Sequence, residues 1–387
     1  MSAFATRLRR AGRNGLASPR RLGRFCRYAL VLIAFACLPA RAQAQVETGR
    51  SAAFDHLGRG TVAFRTGDMA AAVQEWSEAI RLARLIAAPD LAAQALARRG
   101  EAYRTQGHLR DADVDLRAAL AQAEASGSQN LIAASSGALG NLELAARHAD
   151  LAEPLLVRSR DLARRLGDRN TLAASENDLG NLYAQAGRAE AAASAYDEAI
   201  ASAAAGGDDA MVATVEVNAA RLALHRNDPA NARALLTRAV DRIERSPASY
   251  SGTMALVSAG SAVLDRKGNI PAEDRRIAER AYTAAGRAAD SLHNANLSSL
   301  ARGGLGKLYE HTGRVGEASR LTDEALFARS GPRPRNCHIA GTGSRRALPG
   351  NRGIWTPRSP AIAARLPGCS RCGRTFRSNT TTGAPRI

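Results

Sequence analysis

The sequence predicts an all-α fold, a right-handed superhelical solenoid of about seven helix-turn-helix repeats, each about 40 residues long. One pattern of small and large residues recurs with this period between about Ala52 and Arg329. Residues suited to a tight turn recur with the same period between the two helices of a copy. A fixed period of this size is typical of solenoids, in which each repeat buries its apolar face against its neighbours.

The clearest copy is the stretch from Glu176 to Ile200, which is predicted to form two helices joined by a turn at Gly187. Its pattern residues are Leu179, Gly180 and Tyr183 on the first helix and Ala192, Tyr196 and Ala199 on the second. Gly67 and Gly107 hold the equivalent turn in the first two copies, and Arg147 and Asn227 hold it in the third and fifth.

Three positions define the packing of every copy. A small residue on the first helix lets the second helix approach, a large residue on the second helix fills the space beside it, and a small residue further on lets the next repeat stack. The first set is Gly60, Gly100, Gly140, Gly180, Ala220, Gly260 and Gly306. The second is Trp76, Leu116, Leu156, Tyr196, Leu236 and Tyr282, and the third is Ala79, Ala119, Ser159, Ala199, Ala239, Ala285 and Ala325.

This skeleton resembles the tetratricopeptide repeat, which carries Leu-Gly-x-x-Tyr on its first helix and Ala, an aromatic residue and Ala on its second. The copies here are about six residues longer than the usual 34, so each helix is expected to be about a turn longer. The sixth copy is lengthened further, by about six residues around Asn269 to Asp274. The resemblance implies a scaffold that binds proteins or peptides.

The net charge of +18 suggests a nucleic-acid-binding protein until its distribution is considered. Residues 1–44 and 330–387 contain nine and eleven arginines and no acidic residue, which leaves a net charge of −2 on residues 45–329. We therefore expect no nucleic-acid partner for the solenoid itself.

Residues 1–44 are predicted to be a signal peptide. An Arg-rich region is followed by an apolar run over residues 29–38 and by small residues that suit cleavage near Ala44. The run is too short to form a stable membrane anchor. The sequence thus predicts export to the periplasm or beyond, where disulfides form, but Cys26, Cys37, Cys337, Cys369 and Cys372 all lie outside the solenoid.

The repeats carry no pattern that indicates catalysis. Their histidines are scattered, with no cysteine or paired carboxylate at the spacing of a metal site or catalytic triad, so solvated surface residues are the favoured interpretation. We expect no enzyme activity, metal or cofactor in residues 45–329. The histidines concerned are His56, His108, His148, His225, His293 and His311.

The first helices of a solenoid line its concave surface, which predicts a groove that binds a partner. Positions one after, three before and four after the first small residue should face it. An Asn ladder there could bind the backbone of an extended peptide, and the alternative is a solvated polar face in which Asn supports the neighbouring repeat. The predicted groove residues are Glu101, Arg104, Asn141, Asn177, Asn181, Arg221, Lys307 and Glu310.

The character of the chain changes at residue 330, and three interpretations compete for the last 58 residues. The first is a basic disordered tail that binds nucleic acid or membrane, and the second is a zinc or redox site using Cys337, His338, Cys369 and Cys372. The third is translation out of frame, favoured because a shifted frame permits Gly-x-Leu-Asp-Ala-Ala-Ile-Ala about forty residues after Gly313. That sequence is typical of the start of a second repeat helix.

Exported arrays of forty-residue repeats with Asn-x-x-Leu-Gly-Asn-Leu-Tyr helices resemble the N-terminal parts of bacterial CHAT-domain proteins, and residues 179–183 here read Leu-Gly-Asn-Leu-Tyr. That resemblance implies a caspase-like peptidase domain further along the chain, but none is present. The sequence therefore predicts an exported scaffold that binds a protein or extended peptide. The alternatives are the recognition array of a truncated CHAT-type peptidase and a nucleic-acid-binding protein that uses its basic tail.

Overall fold

The computed structural model describes residues 45–266 and 269–330, and this part of the chain contains fourteen helices and no strands. Helix α1 covers residues 45–66. The others are α2 (Met69–Leu85), α3 (Pro89–Thr105), α4 (Leu109–Ser126), α5 (Gln129–Ala145), α6 (Ala149–Leu166), α7 (Arg169–Gln185), α8 (Ala189–Gly206), α9 (Asp209–His225), α10 (Pro229–Arg245), α11 (Tyr250–Leu264), α12 (Ala272–Ser291), α13 (Ala295–His311) and α14 (Val315–Ser330).

Consecutive helices pack in seven pairs, so the predicted all-α solenoid of about seven repeats is confirmed. The regular helices contain 17 or 18 residues, and two of them with their turns fill the forty-residue period. The sixth pair differs, because a longer connection follows Leu264 and α12 extends over 20 residues. The predicted signal peptide and tail lie outside the described residues.

The first small position is as closely packed as its pattern predicts. A Cβ added to Gly180 would lie 2.6 Å from Cδ1 of Tyr196, and one added to Gly60 would lie 2.4 Å from Nε1 of Trp76. Both distances are shorter than real side chains allow, so only glycine permits this approach without displacing the aromatic ring. In the seventh pair the facing side chain is Thr322, whose Oγ1 would lie 3.2 Å from a Cβ at Gly306.

The second small position forms the seam between repeats. All seven of its residues are buried, from Ala79 in α2 to Ala325 in α14. Ser159 is the one polar member, and its hydroxyl lies 2.7 Å from the hydroxyl of Ser175 in the next repeat. Its burial therefore leaves no unsatisfied hydroxyl, in keeping with the rule that buried polar groups are hydrogen-bonded.

The turn positions also follow the sequence pattern. Gly67, Gly107 and Gly187 have φ angles of 83°, 81° and 72°, in the left-handed region that glycine adopts without strain. Arg147 and Asn227 occupy the same region, with φ angles of 68° and 60°. Asparagine tolerates this conformation, whereas arginine adopts it at a steric cost.

Candidate functional site

Two adjoining cavities open on the inner surface of the solenoid, where the first helices of repeats two to five face one another. The first has a volume of about 530 Å³ and the second about 640 Å³. Arg104 and Asn141 line both. Glu101 and Asn177 line the first, and Asn181 and Arg221 line the second. The structure thus brings six of the eight predicted groove residues together around two cavities that share Arg104 and Asn141.

The other two predicted residues lie elsewhere. Lys307 and Glu310 are exposed on α13 in the seventh repeat, and neither lines these two cavities. Their position relative to Gly306 is equivalent to that of the other groove residues. However, in the described part of the chain no following repeat faces them across a groove.

The floor of the first cavity carries a charged cluster. Arg104 binds Glu101 through two hydrogen bonds, from Nε to Oε2 at 2.8 Å and from Nη2 to Oε1 at 2.6 Å. Asp178 lies nearby on α7, where it is 8% exposed, and Asn141 and Asn177 hydrogen-bond to its carboxylate. With one arginine and two carboxylates, the cluster has a net charge of −1 whenever Asp178 is ionised.

Burial controls the ionisation of Asp178. Desolvation of its carboxylate raises the pKa from 3.8 to about 6, because it outweighs the opposing effects of the two asparagine amides and the Arg104 charge. Near neutral pH the group is therefore mostly ionised, at a cost in desolvation. Asp178 forms no ion pair within 4.0 Å in the described part of the chain.

The sequence left two roles open for the Asn residues, support of the neighbouring repeat and binding of a peptide backbone, and the two residues on α7 differ in this respect. Asn177 is 7% exposed and fully engaged, since its Oδ1 accepts from Asn218 of the next repeat at 2.9 Å and its Nδ2 donates to Asp178. It therefore supports its neighbours. Asn181 accepts a hydrogen bond from the hydroxyl of Tyr196 at 2.9 Å, and in the described structure its Nδ2 has no protein acceptor. That amide is available to a ligand in the second cavity.

The second cavity is basic. Arg221 and His225 of α9 line it together with Arg104 and with Arg226, which directly follows α9, and none of its described lining residues is acidic. Arg226 forms a 3.5 Å ion pair with Glu190, an exposed residue outside the cavity. Arg221 is half-buried, and its one hydrogen bond in the described structure runs from Nη2 to the carbonyl oxygen of Ser258 at 3.2 Å.

Four residues that line or approach this space were not identified from the sequence. Asp178 and Asn218 each lie two positions before the small residue of their repeat, and this recurrence at a forty-residue spacing was the signal available. Ser251 lines the first cavity from α11, and Tyr250 lies near Arg104 and Glu101, which both influence its pKa. Tyr250 and Ser251 belong to the sixth repeat and Arg104 to the second, and it is the curvature of the solenoid that brings these two distant repeats close together.

The curvature also closes the solenoid on itself. Nδ2 of Asn294, which precedes α13, donates to the carbonyl oxygens of Thr66 and Gly67 at 3.3 and 3.2 Å. The rings of Phe64 and Tyr250 pack beside this contact, with their centroids 6.2 Å apart. The turn of the first repeat therefore contacts the sixth and seventh repeats, and we call this contact the clasp.

The described residues show no site for a metal. They contain no group of three or more histidine, cysteine, aspartate or glutamate side chains that could hold an ion. Nδ1 of His56 lies 2.8 Å from Glu75, and Nδ1 of His148 lies 2.8 Å from the buried Glu143, so each of these two histidines pairs with a carboxylate. No described helix has both the length and the apolarity that a membrane crossing requires.

No protein-family model and no curated protein matches the chain. Among solved structures, a Rap protein complexed with competence and sporulation factor is similar over 72% of this chain and 75% of that one, with a TM-score of 0.51 and 11% identity. A second similar structure is BtubC from P. vanneervenii, for which the alignment covers 63% of this chain and 98% of that one, with a TM-score of 0.43 and 19% identity.

A third similar structure is a signal-transduction ATPase with a tetratricopeptide repeat sensor from Pyrococcus horikoshii. The alignment covers 67% of this chain and 40% of that one, with a TM-score of 0.44 and 16% identity. At these identities the likeness concerns the fold. The fold of the described residues is a tetratricopeptide-like array of helical repeats.

Proposed function

We propose that the solenoid is a scaffold that binds a peptide or an extended segment of another protein on its inner surface. The observation that carries this proposal is the pair of adjoining cavities, which share Arg104 and Asn141 and are lined by polar side chains from four consecutive first helices. Such a surface offers hydrogen-bond donors and acceptors at the regular spacing of the repeats, which suits an extended backbone. The Rap protein of similar fold, which is complexed with competence and sporulation factor, supports this proposal.

Photo-crosslinking at paired positions tests it. Ala184 lines the second cavity, whereas Ala201 is exposed on the outer helix α8. We expect the Ala184→p-benzoylphenylalanine variant to form covalent adducts with a peptide or protein in producing cells, and the Ala201 variant to form none of the same species. Equal adducts at both positions, or none at Ala184, would refute binding on the inner surface.

We also propose that the chain is exported, as its N-terminal residues predict. The support is the Arg-rich segment, the apolar run over residues 29–38 and the small residues before Gln45. Edman sequencing of protein from the periplasmic fraction tests this, and a mature N-terminus at Gln45 is the expected result. Protein that keeps Met1 and stays in the cytoplasm would refute it.

The alternative function, a recognition array for a CHAT-type peptidase, depends on the residues after 330. Resequencing the gene across the codons for Leu326 to Pro360 and past the stop tests this alternative. A single-base change that restores repeat sequence followed by a domain with a catalytic His and Cys would support it. A confirmed frame would instead make the basic tail a genuine part of the protein, and its contribution to nucleic-acid binding would then be measured by its salt dependence.

A further inference from the structure

The inner surface holds two unbalanced charges of opposite sign in adjoining cavities. Asp178 lines the first cavity in a cluster whose net charge is negative, because Arg104 already forms two hydrogen bonds with Glu101. Arg221 lines the second cavity and in the described structure forms no ion pair with a carboxylate. No ion pair joins Asp178 to Arg221 in the described structure, although the charges of both act on the pKa of Tyr196.

This arrangement differs from the rest of the described chain. Other buried carboxylates are neutralised directly, as in the pair formed by Asp115 with Arg99 at 2.7 Å and that formed by Glu216 with Arg238 at 3.1 Å. A charge that is removed from water without a partner destabilises the protein. An unpaired cation and an unpaired anion that both face a cavity are therefore suited to partners supplied by a ligand.

We propose that the two cavities form one oriented site for a short peptide that carries a cationic group and a carboxylate, with the cationic group at Asp178 and the carboxylate at Arg221. This inference rests on the proposed function and specifies its ligand. The Nδ2 of Asn181 lies in the same cavity as Arg221 and donates to a backbone carbonyl of the peptide. The direction of the peptide is fixed, because reversing it would place like charges together at both ends.

A metal ion or a phosphate is a poorer match for this space. The described residues contain no cluster of three ligands that would hold a metal. A free phosphate would neutralise Arg221 but would be repelled by the negative cluster in the adjoining cavity. A ligand that carries both signs of charge satisfies both cavities at once.

The test uses the full purified chain and three pools of random heptapeptides, with retention on the immobilised protein measured by mass spectrometry. Pool one has free termini and only uncharged side chains, so its charges are the terminal amine and carboxylate. Pool two has blocked termini and includes lysine and glutamate, so its charges are side chains. Pool three has blocked termini and no charged side chain. The first two pools separate the two sources of charge.

We expect pool one or pool two to be retained about tenfold or more above pool three, as the loss of a charge-assisted hydrogen bond predicts. Arg221→Gln, which keeps a donor for the Ser258 carbonyl, should abolish the preference for a carboxylate. Asp178→Asn should abolish the preference for a cation. The matched controls Arg165→Gln and Asp197→Asn, which alter exposed residues of the outer helices α6 and α8, should keep both preferences.

The outcomes separate this inference from the proposal on which it rests. Equal retention of all three pools, unaffected by Arg221→Gln, would show that peptides bind but that charge does not select them, and the inference would be wrong. No retention of any pool by the folded wild-type chain would refute both proposals. Circular dichroism of each variant establishes that it is folded before binding is compared.

Discussion

Replacement of Asp178 by asparagine should stabilise the protein near neutral pH, although it replaces one of the two carboxylate oxygens to which Asn141 and Asn177 hydrogen-bond by an amide NH2 group. The reason is the buried charge. Burial raises the pKa of Asp178 from 3.8 to about 6, so the folded protein binds a proton at this site more tightly than the unfolded chain does. The stabilisation from the protonated carboxyl is complete below pH 3.8 and is lost as the pH rises through 6.

The magnitude follows from the difference between the two pKa values. A difference between 3.8 and about 6, at about 1.4 kcal/mol for each pKa unit, corresponds to roughly 3 kcal/mol of unfolding free energy. The asparagine variant has no charge to bury. Relative to the variant, the wild-type protein should therefore lose about 3 kcal/mol between about pH 4 and about pH 8.

Urea unfolding of both proteins at these two pH values measures the effect. Hydrogen exchange of the amides in α7 adds a local measurement, which is useful because helical repeats do not always unfold as one unit. The difference between the two proteins at a single pH includes the altered hydrogen bonds, so only its change with pH reports the buried charge. The exposed Asp197→Asn variant is the control, with an expected change below about 0.5 kcal/mol. A stability difference for Asp178→Asn that is the same at both pH values would refute the reasoning.

Three further predictions concern the fold. Gly180→Ala should destabilise the protein by about 1–2 kcal/mol, because the clash of the new methyl group with Tyr196 costs more than the gain in helix propensity returns. Gly286→Ala adds its methyl group in open space and should stabilise the protein by up to about 1 kcal/mol. Thermal melts of both variants measure this, and equal effects on the melting temperature would contradict it. Asn294→Asp keeps the oxygen that caps α13 but replaces the amide donor with a carboxylate oxygen, which repels the carbonyl oxygens of Thr66 and Gly67 and should open the clasp. Small-angle X-ray scattering should then show a larger radius of gyration, and an unchanged profile would count against the clasp. Amides of α14, where Leu326 is 63% exposed, should exchange faster than those of α7, and uniform protection through Ala325 would contradict this.

The local architecture was predictable from the sequence because the repeat turns each packing contact into a spacing along the chain. Gly180 faces Tyr196 for the same steric reason that Gly60 faces Trp76, so one well-formed copy indicated the others. The left-handed turn at Arg147 could be assigned because its position matches that of Gly107, although arginine by itself does not indicate such a turn. Six of the predicted groove residues line the cavities for a similar reason, since positions on one helical face recur with the repeat.

Relations between distant repeats could not be read in this way. The sequence by itself determined the helices, their pairing and the face of each first helix that turns inward, because these depend on contacts within one repeat or between neighbours. Only the tertiary structure decided that Asn294 meets the turn at Gly67, that Tyr250 approaches Arg104, and that Asp178 is left with an unneutralised charge. Each of these depends on small rotations between successive repeats that accumulate along the solenoid, and no local spacing in the sequence specifies their sum.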